Sequence, residues 1–249
     1  MSQAARAAER AARLSYGRLV ALLAARTRDV AEAEDALAEA FRIALETWPR
    51  SGVPDTPDAW LLTVARRAAG RAARHRAVQA AARPAIEMLL ADAPAPDAIP
   101  DERLRLMFVC AHPALDPAVR APLMLQAVLG LDAARIAGCF LASPAAMGQR
   151  LSRAKARIRE ARLAFALPET AELPARLDAV LEAVYAAYGT GWEDLTGEDA
   201  KRRGLSEEAV WLARLVVALL PAEAEARGLL GLMLHAEARR RARRDSASA

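Results

Sequence analysis

Aromatic residues make up only 4% of this 249-residue chain, which also holds just 2 cysteines and 3 histidines. Cys110 and Cys139 cannot supply a disulfide framework. Cys110-Ala111-His112 brings one thiol and one imidazole together, but without further ligands this reads as packing and capping at a helix end, so no metal is expected. Glycine and proline number 12 and 14. No glycine-rich phosphate loop is among them, and Ser, His and Asp never fall into a nucleophilic set. Neither a catalytic activity nor a cofactor or small-molecule substrate is expected. Charges interrupt every apolar run short of the roughly 18 residues a membrane span needs, the longest relevant stretch lying between Arg120 and Asp132. No apolar segment of signal-peptide type follows Met1, so the expectation is a cytoplasmic protein with reduced thiols and no membrane contact.

What the chain has in plenty is alanine, leucine and arginine. Hydrophobic residues reach 54% and charged residues 27%, enough for a sizeable core, and 35 Lys+Arg against 31 Asp+Glu leave a net charge of +4. This palette favours helix over strand, and the fold class expected is all-α. Three helical parts are expected: residues 1–80, then a linker at 81–100 marked by Pro84, Pro94, Pro96 and Pro100, then 101–165, then 166–249.

In the first part, Leu19, Leu22 and Leu23 form one stripe. Leu37, Phe41, Ala44, Leu45 and Trp48 form the next, with Trp48-Pro49 expected to stop that helix. A third helix should start at Thr56-Pro57 and bury Trp60, Leu61, Val64 and Ala68. In the second part, Asp116-Pro117 opens a helix that Pro122 should kink and Gly130 should close. Asp132 caps a short helix through Phe140, and Ser143-Pro144 starts a long one through about Ala164, a helix-turn-helix pattern. From Pro168, Leu173, Leu177, Val180, Leu181, Val184 and Tyr185 mark a helix, and 188–199 reads as a loop. A helical hairpin follows at about 206–220 and 222–240, with a basic tail, Arg239 to Arg244, expected to be disordered.

Three faces carry candidate function. Arg67, Arg71 and Arg74, flanked by Arg66 and Arg76, line one face of the third helix and would attract a phosphate backbone; such a face is also a common solvated surface. On the long helix, Met147, Leu151, Ala154 and Ile158 make the core stripe. Ala145, Gln149 and Arg153 then point outward, with Arg150 and Arg157 on the flank and Lys155 among the anchoring cations. Gln149 is placed to pair with an adenine edge and Arg153 with a guanine edge, while Ala145, Ala146 and Gly148 offer no hydrogen bonds. Phosphate anchoring by Arg150, Lys155 and Arg157 then outweighs base reading. The third face is acidic: Glu32, Asp35 and Glu39, at the helix end where the dipole favours negative charge.

The segments DVAEAEDALAEAFRIALETW (29–48), AWLLTVAR (59–66) and IAGCFLASPAAMGQRLSRAKARIR (136–159) resemble regions 2 and 4 of bacterial sigma factors, and more narrowly those of the extracytoplasmic-function (ECF) type. DERLRLMFVCAHPAL (101–115) and residues 165–185 resemble the subgroup with a helical, tetratricopeptide-like C-terminal extension. The resemblance implies that 1–80 is a region-2 module, 101–165 a region-4 module and 166–249 the extension. It implies that Glu32, Asp35 and Glu39 dock on core RNA polymerase. It further implies that the helix of Trp60, Arg66, Arg67, Arg71 and Arg74 opens the minus-ten promoter element, and that the helix from Ser143 reads the minus-thirty-five element in duplex DNA. An anti-sigma protein or other regulator is a further implied partner.

The chain departs from the family pattern in several places. Asn, Ile, Asp and Leu are usual where Arg67, Gly70, Arg71 and Ala73 stand, which is expected to thin the packing of that helix, and Thr is common in place of Ala146. Family members with this extension run on past Ala249, so the expectation is either a naturally short chain or a partial repeat domain. Two other readings stay open on the sequence: a helix-turn-helix DNA-binding regulator without polymerase contact, and a sigma-like decoy that binds polymerase without initiating.

Overall fold

A computed structural model describes residues 2–79, 101–166, 168–192 and 204–247. Among them the chain is helical throughout, with no strand. The expected linker lies outside the described residues.

Side-chain caps set most helix starts. Ser2 Oγ accepts the Ala5 N–H (3.1 Å) to open α1 (Gln3–Thr27), which ends where Arg28 turns left-handed at φ 54° and donates its N–H to the Ala24 carbonyl. Asp29 accepts from the N–H groups of Ala31 and Glu32 at 2.9 and 3.2 Å, opening α2 (Val30–Ser51). The expected stop at Trp48-Pro49 does not occur. Proline removes one bond only, and the last turn closes regardless, because Gly52 N–H donates to the Trp48 carbonyl at 3.1 Å and Ser51 Oγ to the Thr47 carbonyl at 3.1 Å. α3 (Pro57–Gln79) begins on proline as expected.

The first three helices bury Leu19, Leu23, Leu37, Trp48 and Leu61, with alanines 33, 36, 40, 44, 65 and 69 letting the backbones approach. Two stripe assignments are corrected by the helical phase. Leu45 is 51% exposed, and α3 buries Leu61, Ala65 and Ala69 while Trp60, Val64 and Ala68 are half-buried.

Asp101 caps α4 (Glu102–Cys110), accepting the Arg103 N–H at 2.7 Å. Every residue from Leu104 to Cys110 is buried, which makes α4 the central strut of the second half. Asp116 and Pro117 open α5 (Pro117–Ala127), which runs past the buried Pro122 and is closed by Gly130 at φ 67°, with Leu131 N–H reaching back to the Leu125 carbonyl. α6 (Ala133–Cys139) and α7 (Pro144–Glu160) follow, α7 ending four residues earlier than expected, with Arg162 at φ 50°.

α8 (Leu173–Trp192) packs on α4 and α5 as well as on α9 (Leu205–Leu219), and α10 (Ala224–Ala247) packs on α9 and α8. The core is continuous from α1 to α10. The expected loop from Tyr188 begins later, because Tyr188 to Trp192 continue α8; the rest of that loop lies outside the described residues. Tyr188 is buried and its hydroxyl donates to the Met233 carbonyl (3.2 Å), whereas Tyr185 is 56% exposed and does not belong to the buried stripe. Gly191 is a crossing point rather than a turn, since a Cβ there would sit 2.5 Å from the Ser206 nitrogen. The basic stretch from Arg239, expected to be disordered, continues α10 as helix to Ala247.

Candidate nucleic-acid interface

α7 is positioned by its own sequence. Ser143 Oγ accepts the Ala146 N–H at 3.2 Å, and Asp132 accepts the Arg135 N–H at 3.0 Å at the start of α6. Between the two helices Leu141 takes the left-handed conformation at φ 49° and stands 99% exposed, while Ala142 N–H bonds back to the Ala137 carbonyl. Met147, Leu151, Ala154 and Ile158 are buried, as the periodicity requires. Consequently Ala145, Gln149, Arg150, Arg153 and Arg157 are exposed along one side of α7, with Ala146 half-buried. That side offers one amide and three guanidinium groups, fitted to phosphates and to the acceptor edges of bases.

Lys155 is not on that side. It forms an ion pair with Glu34 of α2, both side chains largely buried at 13% and 15% exposure. One turn further on, Arg159 Nη1 lies 3.6 Å from Asp29 Oδ2, the carboxylate that caps α2. Lys155 is therefore corrected from a cation presented with Arg150 and Arg157 to a pin between two helices. The reason is geometric: it adjoins the buried Ala154 and faces a neighbour that no local pattern announces.

On α3, Arg66, Arg67, Arg71 and Arg74 are all exposed; the side chain of Arg76 lies outside the described residues. Trp60 packs edge-on against Trp48, ring centroids 5.4 Å apart at 63°, which fixes the start of α3 to the end of α2. A Cβ at Gly70 would meet nothing within 4 Å, so no neighbour packs over that position.

The acidic face of α2 is uneven. Asp35 is exposed, Glu32 is half-buried, and Glu39 is held by Arg42 through two contacts of 2.7 Å while Arg42 also reaches Glu46 at 2.5 Å. Hydrogen bonding from Arg42, with the charge of Arg71 nearby, holds the Glu39 carboxyl below the ordinary carboxylate range. The basic face of α3 thus borders the acidic face of α2.

Elsewhere, Cys110 is fully buried and burial pushes its thiol up. His112 Nδ1 accepts the Ala114 N–H at 3.0 Å, closing the turn after α4. No group of three or more His, Cys, Asp or Glu side chains is gathered to hold a metal ion among the described residues. No described helix is long and apolar enough to cross a membrane. Sequence reasoning missed Gly17 and Arg103, and read Glu34 only as part of the acidic stretch of α2. Arg103 pairs with Asp101 and with Glu208 of α9 and stacks over the Trp211 ring at 4.1 Å, fastening the last helices to α4. Glycine inside α1 was the one available signal for Gly17.

With these surfaces in place, comparison with known proteins becomes specific. Residues 12–78, spanning most of α1 to α3, match the family described as Sigma-70 region 2. Residues 176–249 match a family of unknown function (DUF6596). An uncharacterized protein of Rhizobium meliloti (strain 1021) is 38% identical over 229 residues, 88% of this chain and 54% of that protein. The chain therefore spans about half the length of the curated relative it matches. No solved structure matches.

Proposed function

We propose that the protein is a sigma factor of the ECF type, carrying core RNA polymerase to promoters for DNA-templated transcription initiation. The observation that carries this reading is the Sigma-70 region 2 match over 12–78, coinciding with helices that present an acidic face on α2 and an arginine face on α3. In this reading α1–α3 form the region-2 module, α4–α7 the region-4 module and α8–α10 the extension. Asp35, with Glu32 and Glu39, meets polymerase. Arg66, Arg67, Arg71 and Arg74 hold the displaced strand at the minus-ten element, with Trp60 anchoring the start of their helix on Trp48. Gln149 and Arg153 read the minus-thirty-five duplex while Arg150 and Arg157 hold its phosphates. No bond is made or broken by the protein itself; binding energy selects the site and opens the strands.

The test is permanganate footprinting on host promoter fragments with core polymerase and the protein, against the double variant Arg67→Glu, Arg71→Glu. Thymines reactive with the wild type and silent with the variant are expected. Polymerase binding without any reactive thymine in the wild type would instead make the protein a decoy.

A further inference from the structure

A cavity of about 400 Å³ opens where three separate stretches of chain converge. α1 lines it with Ala12, Leu14 and Tyr16, the turn between α5 and α6 with Leu129, and the start of α9 with Leu205. Gly17 closes one end, because α1 meets the last turn of α5 so nearly there that a Cβ would overlap the Val128 carbonyl oxygen. At the rim Leu14 stands 65% exposed, extending the apolar lining outward. Small-molecule sites combine a space of roughly 300–1,000 Å³, a mostly apolar lining and a few placed polar groups.

The polar groups here belong to one wall. Arg103 of α4 gives all three of its guanidinium nitrogens to Asp101 and to Glu208 Oε1, and its plane lies 4.1 Å from the centre of the Trp211 ring. It has nothing left for a ligand. Glu208, on α9, has: its Oε2 holds no hydrogen bond among the described residues. Two carboxylates on one guanidinium leave a negative charge beside the apolar space, while Glu9 and Arg13, both exposed on the lining, offset each other. Burial pushes the Glu208 carboxyl above its ordinary range even against the charge of Arg103, as expected of a carboxylate with too little compensation.

We propose that this cavity binds a small amphipathic cation, its apolar body between Leu14, Tyr16, Leu129 and Leu205 and its ammonium group donating to Glu208 Oε2. An anion of the same shape would face that carboxylate with no free guanidinium beside it. A purely apolar occupant would strip water from the carboxylate and leave it unpaired. The occupant touches α1 and α9 at once, so binding fastens the last helices to the first. None of this depends on the sigma-factor reading.

The test is isothermal titration calorimetry of the full-length protein with three probes of one shape and different charge: tryptamine, indole and indole-3-acetate. Saturable binding of one tryptamine per chain, at least tenfold tighter than either of the other two, is expected. Glu208→Gln keeps an acceptor for Arg103 but removes the charge, and should bring tryptamine down to the affinity of indole. Ala12→Trp, at an exposed position on the lining, fills the space without touching the buried core and should abolish binding with helical circular dichroism unchanged. No saturable heat from tryptamine would overturn the proposal, and so would undiminished binding by a folded Ala12→Trp protein, which would place the amine elsewhere. Indole or indole-3-acetate binding as tightly as tryptamine would overturn the role given to Glu208 and with it the class of ligand.

Discussion

The Glu34 carboxyl is pushed above the ordinary carboxylate range, chiefly by burial and against the lowering influence of Lys155. Its charge in turn contributes to the raised pKa of Tyr16 and Cys110. A carboxyl that binds its proton more tightly folded than unfolded stabilises the fold at acid pH, and that contribution is lost as pH rises through the folded pKa. From pH 7 toward pH 5, the wild type should therefore gain more thermal stability than Glu34→Gln, with other titrating groups common to both. Parallel melting profiles for the two proteins across that range would contradict the assignment. Little of this was legible in the sequence. The stripe Met147, Leu151, Ala154, Ile158 comes from helical period alone, and so does the outward set Gln149, Arg150, Arg153 and Arg157. Lys155 and Glu34 border buried stripes on separate helices, and their meeting depends on how two halves dock, which no local pattern encodes.

The helix starts at Asp116, Asp132 and Ser143 were legible because capping is a matter of a few adjacent residues. Each accepts a backbone N–H within the first turn it opens, and Asp29 and Asp101, not read as caps from the sequence, do the same. Helix ends were less so. Pro49 lies in a last turn that closes without its N–H, and Gly191 serves a crossing with α9, so neither residue stops its helix. α8 lies across α4 and α5 and covers both with its apolar face. Its buried Arg176 donates to the Phe108 carbonyl at 3.3 Å and pairs with Glu172 at 2.6 Å. A chain cut before Pro168 loses this cover together with the Glu208 and Trp211 partners of Arg103. It should be destabilised by at least about 3 kcal/mol and bind a hydrophobic dye, as urea denaturation and dye fluorescence would report. A fragment that unfolds at the same urea midpoint as the full chain would show that α8–α10 are an independent attachment.

At the scale of the whole molecule, an acidic face on α2, an arginine face on α3 and a polar, basic side of α7 are held in one body whose core runs without interruption from α1 to α10. All-α architecture was readable from composition and period; the docking of one stretch of helices on another was not. On the proposed function the α1–α3 surface would receive core RNA polymerase, and Asp35 is the most exposed of the acidic residues expected there. The most direct measurement is the affinity of the full-length protein for purified core polymerase, by fluorescence anisotropy, beside that of Asp35→Arg. Saturable binding of the wild type, weakened at least tenfold by the charge reversal, about 1.4 kcal/mol, is the predicted result. Absence of binding by a folded wild type, or equal binding by the variant, would contradict the account.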